Sequence, residues 1–473
     1  MSTPSTGRYL WQFTLGEVAA LIRDREVSPI EVTRASLERI EQTDSHVLAW
    51  ARLCAERALD DAKRMEELLR AGKYLGPLHG IPVGIKDIIQ TAGVEMSAGS
   101  RILAGFVPTE DAEVVRRLRL AGAVILGKTA TTQFALFDPA PTRNPHNLAH
   151  TPGGSSSGSA AAVAAHHCFA AIGSQTLGSI LRPAAYCGVA GLKPTYDLVS
   201  RKGVLPLAWS MDHVGPIART SGDLLAVWNA IRRPDKQIRE AKGLPYIVGV
   251  PDRFFFEKTD PAMVQAFRAA VGRLENAGAA VREVRLPSLF EAGVEAGYVV
   301  MRVEIATFHQ QWFFSRPDGY GPKLRAVIES GLRIPAVSYV RAQQIRRAAA
   351  EQIRQLWKGI DVLATPAALG AAPQGLGSTG DPILTSPFTI FGVPSLTVPA
   401  GWSSAGLPLG LQLAADYFHD AWLLELGAML DAEISARPPI DFPAARHGPA
   451  AVTSSAKPQE EPNEGQDRTE AAY

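Results

Sequence analysis

The sequence is short of the features that mark several function classes. It holds three cysteines, Cys54, Cys168 and Cys187, in 473 residues. An odd, sparse count supports no disulfide framework, and no CxxC or Cys/His spacing makes a metal-ligand set. No charge sign dominates: 48 basic residues stand against 47 acidic ones, a formal net charge of +1. No local Lys/Arg cluster supplies the basic patch of a nucleic-acid binder. No uncharged apolar run reaches the roughly 18 residues of a membrane-spanning helix. The stretch from Met1 to Arg8 is rich in Ser, Thr, Gly and Pro and lacks the apolar segment of a secretory signal. The expectation left by these absences is a soluble, cytoplasmic protein, monomer or homodimer. It has no metal or organic cofactor, and neither a nucleic acid nor a membrane as partner.

What is present is material for a large core. Hydrophobic residues make up 46% of the chain and charged ones 20%, a globular balance. Residues 14–40 read as helix, with Ser28, Pro29 and Glu31 forming a cap, a first-turn proline and a capping box. Residues 52–71 read as a second helix. Gly80–Asp87 is a short apolar strand that delivers Lys86 at its end. A helix at 111–121 precedes the buried strand Ala123-Val124-Ile125-Leu126. This alternation implies an α/β fold. Residues 260–360 are helical by pattern and carry Tyr298, Phe308, Trp312, Phe313, Phe314 and Tyr339. Apolar strands return at 361–365, 394–399 and 409–413. Residues 1–446 read as one domain, and 447–473, rich in Pro, Glu, Gln and Ser, as a disordered tail.

Two short motifs compete for the chemistry. Gly122-Ala-Val-Ile-Leu-Gly-Lys-Thr129 fits the phosphate-binding pattern GxxxxGK[ST]. That pattern needs a loop whose N–H groups cradle phosphate, and Ala-Val-Ile-Leu is strand material. Gly154-Ser155-Ser156-Ser157-Gly158 fits GxSxG, which makes Ser156 a nucleophile only if an apolar strand runs into it. The preceding His146–Gly153 cannot form one.

A third set of segments explains more of the chain. Gly153-Gly-Ser-Ser-Ser-Gly-Ser-Ala-Ala-Ala-Val-Ala-Ala165 is a Gly/Ser loop opening an Ala-rich helix. Gly173-Ser-Gln-Thr-Leu-Gly-Ser-Ile-Leu-Arg-Pro-Ala184 follows, then Cys187–Thr195. These segments closely resemble the amidase signature family. Gly80–Asp87 resembles that family's lysine segment, and Gly392–Gly401 with Gly406–Gln412 its C-terminal strands. The resemblance spans roughly residues 14–430. It implies a mixed, mainly parallel, twisted sheet covered by helices on both faces, and hydrolysis of an amide-type bond. Carried over residue by residue, it implies a proton relay of Lys86, Ser155 and Ser179, with a cis Gly154–Ser155 peptide and Ser179 as nucleophile. Backbone donors from Thr176, Leu177, Gly178 and Ser179 are the candidate oxyanion hole.

The residues make this chemistry reasonable. A serine hydroxyl is a weak nucleophile until a base activates it, and none of the ten histidines sits in a recognisable triad segment. A lysine, whose ordinary pKa is about 10.4, becomes a base once burial lowers that value. Lys86 is flanked by Val83, Ile85, Ile88 and Ile89. Ser156, Ser157, Ser159 and Ser174 are expected to supply turn and supporting hydrogen bonds.

Gln175 stands where the family commonly has aspartate, Gln133 where glutamate is common, Leu177 for a frequent glycine, and Leu181 at the usual arginine, with Arg182 one residue on. The two glutamines remove negative charge that would hold Lys86 protonated. Phe134, Phe137, Trp312 and Phe313 are candidates for an apolar or aryl substrate pocket. The expected substrate is a small amide, carbamate or ester. Two alternatives stay open: the glutamine-hydrolysing component of an amidotransferase, and a noncatalytic binding protein of the same fold.

Overall fold

Ser28 caps its helix as the sequence predicts. Its Oγ accepts the Glu31 N–H at 3.1 Å, the Glu31 carboxylate accepts the Ser28 N–H at 2.8 Å, and Pro29 takes the first helical position. The predicted helix over 14–40 is therefore two, Leu15–Arg23 and Pro29–Val47, because a cap strong enough to start a helix also marks where the previous one ends. The structure, a computed structural model, describes residues 8–431 with Ile440 and Phe442. The expected tail at 447–473 lies outside the described residues.

Among the described residues eleven strands form one sheet. They are β1 (Trp50–Leu53), β2 (Pro82–Lys86), β3 (Val124–Thr129), β4 (Ala170–Gln175), β5 (Ala190–Lys193), β6 (His213–Ala218), β7 (Ile247–Pro251), β8 (Ala280–Val284), β9 (Val362–Pro366), β10 (Ser395–Trp402) and β11 (Pro408–Ala415). Their order is β1-β3-β2-β4-β6-β5-β10-β11-β9-β7-β8, and helices cover both faces. The sheet is mixed but not mainly parallel. Four pairings are parallel, β2 with β3 and β4, and β7 with β8 and β9. The other six are antiparallel. The turn around Ser403–Gly406 joins β10 to β11 as a hairpin, and a tight connection can join only antiparallel neighbours; the other antiparallel pairs bring together strands separated by long stretches of chain.

The Ala-rich helix, Ser157–Ala164, is buried at every position, as a helix without a polar face must be. Small residues let it lie directly on the strands. A Cβ on Gly158 would sit 2.2 Å from the Ala49 carbonyl oxygen, so no larger residue fits there. No described helix is long and apolar enough to cross a membrane.

Candidate active site

Strand β2 is buried throughout and lies between parallel β3 and β4. The chain passes to β3 on one side and later to β4 on the other, so β2 is a switch point, and the crevice at its carboxyl end is where open α/β sheets hold ligands. Lys86 is the last residue of β2. The register that pairs Ile85 with Ile172 carries it alongside the end of β4. There Lys86 Nζ donates to Ser155 Oγ at 2.7 Å and Ser174 Oγ at 2.8 Å, with the Ser174 carbonyl at 3.4 Å. Ser155 comes from the loop that feeds the Ala-rich helix, and the Gly154–Ser155 peptide is cis. The Ser155 carbonyl accepts the Thr131 hydroxyl at 3.2 Å and the Thr132 N–H at 3.3 Å, which ties the loop to the segment leaving β3.

The chain leaving β4 forms the other wall. Thr176, Leu177, Gly178 and Ser179 line a cavity of about 20 Å³ together with Ser155, Phe137 and Arg182, room for one water-sized group. The N–H groups of Leu177, Gly178 and Ser179 have no hydrogen-bond acceptor among the described residues. Gln175 holds this loop. Its Oε1 accepts the N–H groups of Ile180 and Leu181 at 2.8 and 3.0 Å, and its amide donates to Thr389 Oγ1, which itself donates to the Leu177 carbonyl. Gly178 is required by packing against the protein rather than by approach to substrate, since a Cβ there would meet Thr385 Oγ1 at 2.1 Å.

Burial drives the electrostatics. Lys86 has no solvent exposure, and burial lowers its pKa well below the usual lysine value while the Asp212 carboxylate pulls it back up. Asp212 accepts the Thr176 hydroxyl at 2.6 Å and the Leu207 and Ala208 N–H groups. A neutral amine bonded to a hydroxyl can take its proton. Three free N–H groups beside a second hydroxyl, Ser179, can receive a developing oxyanion. Ser155 and Ser179 both line the cavity, and their hydroxyls are not hydrogen-bonded to one another in this state. No histidine lines the cavity.

A family model described as Amidase matches residues 31–424. The chain belongs to the amidase signature family. It is 35% identical to a glutamyl-tRNA(Gln) amidotransferase subunit of Geobacter sp. (strain M21), over 90% of this chain and 98% of that protein. It is similar to a crystal structure of an amidase, with a TM-score of 0.83 and 33% identity over 89% of this chain and all of the other. The native peptide amidase of Stenotrophomonas maltophilia is also similar, with a TM-score of 0.78 and 32% identity over 91% and 98% of the two chains.

Within this family member the competing motifs are accounted for. The GxxxxGK[ST] match contributes to β3, and its Lys128 is tied to the Ile89 carbonyl and Asp87. Ser156 Oγ is spent on the Ser174 backbone, and no strand leads into it. Phe137 lines the cavity, whereas Phe134, Trp312 and Phe313 stand outside it. Phe134 stacks on Trp312 and Tyr320 and meets the edge of His309; Phe313 packs on Tyr320. Gln133 is likewise a clamp, donating to Ser100 Oγ and the Gly319 carbonyl and accepting the Gly321 N–H. Sequence reasoning missed Asp212 altogether and took Ser174 for a supporting residue, although it binds Lys86 directly. Neither carries a local signal: Asp212 lies in an ordinary loop, and Ser174 matters only through the β2–β4 register.

Proposed function

We propose that this protein hydrolyses an amide C–N bond through an acyl-enzyme on Ser179. The observation that carries the reading is the 2.7 Å bond from a fully buried Lys86 to Ser155 Oγ, beside a second serine with unused backbone donors. Neutral Lys86 takes the Ser155 proton as Ser155 takes that of Ser179, whose hydroxyl turns toward it. Ser179 Oγ attacks the carbonyl, and the oxyanion is held by the N–H groups of Leu177, Gly178 and Ser179. The proton returns through Ser155 to the leaving nitrogen, the C–N bond breaks, and water then cleaves the ester to release the acid.

Two finer readings have separate support. The name of the curated relatives, matched over nearly their full length, favours the glutamine-hydrolysing component of an amidotransferase, working beside partner proteins. The amidase and peptide amidase neighbours favour a self-sufficient hydrolase of small amides, with carbamates and esters open to the same route. Labelling with a fluorophosphonate tests the common core: an adduct on Ser179 of the folded protein is expected, and its absence together with no turnover overturns amide hydrolysis. Ammonia release from L-glutamine, set against a panel of aryl and aliphatic amides, carbamates and esters, separates the two finer readings.

A further inference from the structure

The cavity beside Ser179 has an open end and a closed one. Phe137 is half-buried and every other residue lining the cavity is buried, so the mouth lies at Phe137. The relay stands at the closed end, where Ser155 is backed by the buried Lys86 and Ser174. Thr176 and Leu207 are held on that side because Asp212, the acid that acts on Lys86, accepts the hydroxyl of one and the N–H of the other. Leu177 continues this wall, and Met301 completes it from the helix Phe290–Ser315. Leu177, Leu207 and Met301 all belong to the main hydrophobic core. Leu177 is where this wall departs from the family, in which glycine is frequent at that position. Its isobutyl group cannot retreat, since the loop that carries it is pinned. Thr389 Oγ1 donates to the Leu177 carbonyl at 2.8 Å, and Gln175 Oε1 accepts the Ile180 and Leu181 N–H groups. Gly178 is packed so closely on Thr385 that a Cβ would collide with its hydroxyl. What remains is the volume of about 20 Å³, enough for one water-sized group.

We infer that Leu177 is a specificity-determining residue that restricts the leaving group to an unsubstituted –NH2, so that N-alkyl amides are rejected. The inference rests on the amide-hydrolase reading and narrows the substrates of that site. The geometry assigns the three directions around the scissile carbonyl carbon. Its oxygen turns to the N–H groups of Leu177, Gly178 and Ser179. Its nitrogen must reach Ser155, from which it takes a proton, and so points to the closed end. The acyl chain is left with the mouth, past Phe137. An N-alkyl group would have to enter the space that Leu177 fills, and overfilling a packed wall is unfavourable. Lengthening the acyl chain only extends it toward solvent.

The test compares butyramide, hexanamide and phenylacetamide with their N-methyl and N-butyl derivatives, which share an acyl group and differ only in the leaving amine. Two quantities are read: kcat/KM, and the slowing of fluorophosphonate labelling of Ser179 by each amide, which reports occupancy without requiring turnover. In the wild-type protein each primary amide is expected to protect Ser179 about tenfold or more better than its N-butyl derivative, the range for a misfit of a methylene or more in an apolar pocket. The N-methyl derivatives should fall between, and the longer acyl chain should cost little. Leu177→Ala and Leu177→Gly keep the backbone donors and remove the side chain. The N-butyl to primary ratio should rise about tenfold or more, further for glycine than for alanine. Comparing that ratio between proteins cancels the lower intrinsic reactivity of a substituted amide. Thermal unfolding and labelling in the absence of amide report whether each variant keeps its site; if neither does, the wild-type comparison alone decides. Equal protection by primary and N-butyl amides, no protection by any primary amide at high millimolar concentration, or an unchanged ratio in a folded Leu177→Ala protein would each overturn the assignment. Failure to label Ser179 in the wild-type protein would instead count against the hydrolase reading.

Discussion

Lys86 and Lys128 stand on adjacent strands of one sheet, both without solvent exposure, and their fates differ. Lys128 pairs across the sheet with Ile85, donates to the Ile89 carbonyl and lies 3.4 Å from Asp87 Oδ1. Burial lowers its pKa, and the adjacent carboxylate opposes that. Lys86 is as deeply buried, but its close partners are two serine hydroxyls, and among the described residues the only acid acting on it is Asp212. Burial alone therefore does not make a base. What separates an ion-paired structural lysine from a proton acceptor is whether a carboxylate or a hydroxyl stands at Nζ.

Substitutions should pull the two lysines apart. The largest effect is expected from Ser179→Ala, which should cut turnover by about 10⁴-fold or more, as removal of a serine nucleophile does elsewhere. Lys86→Ala should lower kcat/KM by about 10³- to 10⁴-fold, the upper range for general acid–base catalysis, with little loss of stability. Lys128→Ala should do the reverse. It leaves Asp87 buried without its cation, which costs about 3–5 kcal/mol, while kcat/KM per folded molecule changes only a few-fold. Denaturant unfolding and steady-state kinetics on the three variants check this. An active Lys86→Ala enzyme would sink the relay, and an inactive but fully stable Lys128→Ala would erase the contrast.

The pH profile separates the lysines further. Lys86 must be neutral to accept a proton, and its pKa in the folded protein lies well below the ordinary value of 10.5. Activity should therefore hold on the alkaline side and fall as pH drops through the lowered pKa. That acid limb should be absent from the residual activity of Lys86→Ala and unchanged in Lys128→Ala. A flat wild-type profile into the acid range would contradict a lysine base.

Lys86, Ser155 and Ser179 were singled out through the resemblance of their segments to the amidase signature family; composition alone leaves Lys86 a lysine at a strand end and does not choose among the serines. The strands at 361–365, 394–399 and 409–413 were legible from the residues themselves, as apolar runs between turn signals, and β9, β10 and β11 occupy those places. Strands β7 and β8 were not; β8 is an edge strand with three of its five residues exposed, and it is embedded in helical periodicity. The aromatic candidates divide: Phe137 lines the cavity, whereas Phe134, Trp312 and Phe313 pack outside it. A Phe or Trp on a helix has the same one-dimensional signature whether it lines a pocket or packs on His309 and Tyr320. Asp212 was invisible because its role depends on three-dimensional proximity to Lys86 and on donors from three other residues.

Asp212 offers the finest adjustment of the comparison, since it is to Lys86 a distant version of what Asp87 is to Lys128. Its negative charge stabilises the protonated form of Lys86 and so raises the pKa that burial lowers. Asp212→Asn removes that charge, and the Lys86 pKa should fall further. Neutral Lys86 then persists to lower pH, and the acid limb should move down by about half a unit to one unit, the scale of one charge acting across a partly screened interior. The asparagine oxygen can still accept the Thr176 hydroxyl, but its amide nitrogen faces the N–H groups that Oδ2 accepted from Leu207 and Ala208. Plateau kcat should therefore drop by a few-fold as the loop loosens, with the two effects separable because only one depends on pH. A limb that stays in place would mean that Asp212 acts on loop geometry alone. A limb that moves to higher pH would mean that the groups around Lys86 hold it protonated by some other charge, and the distinction between the two lysines would have to be drawn elsewhere.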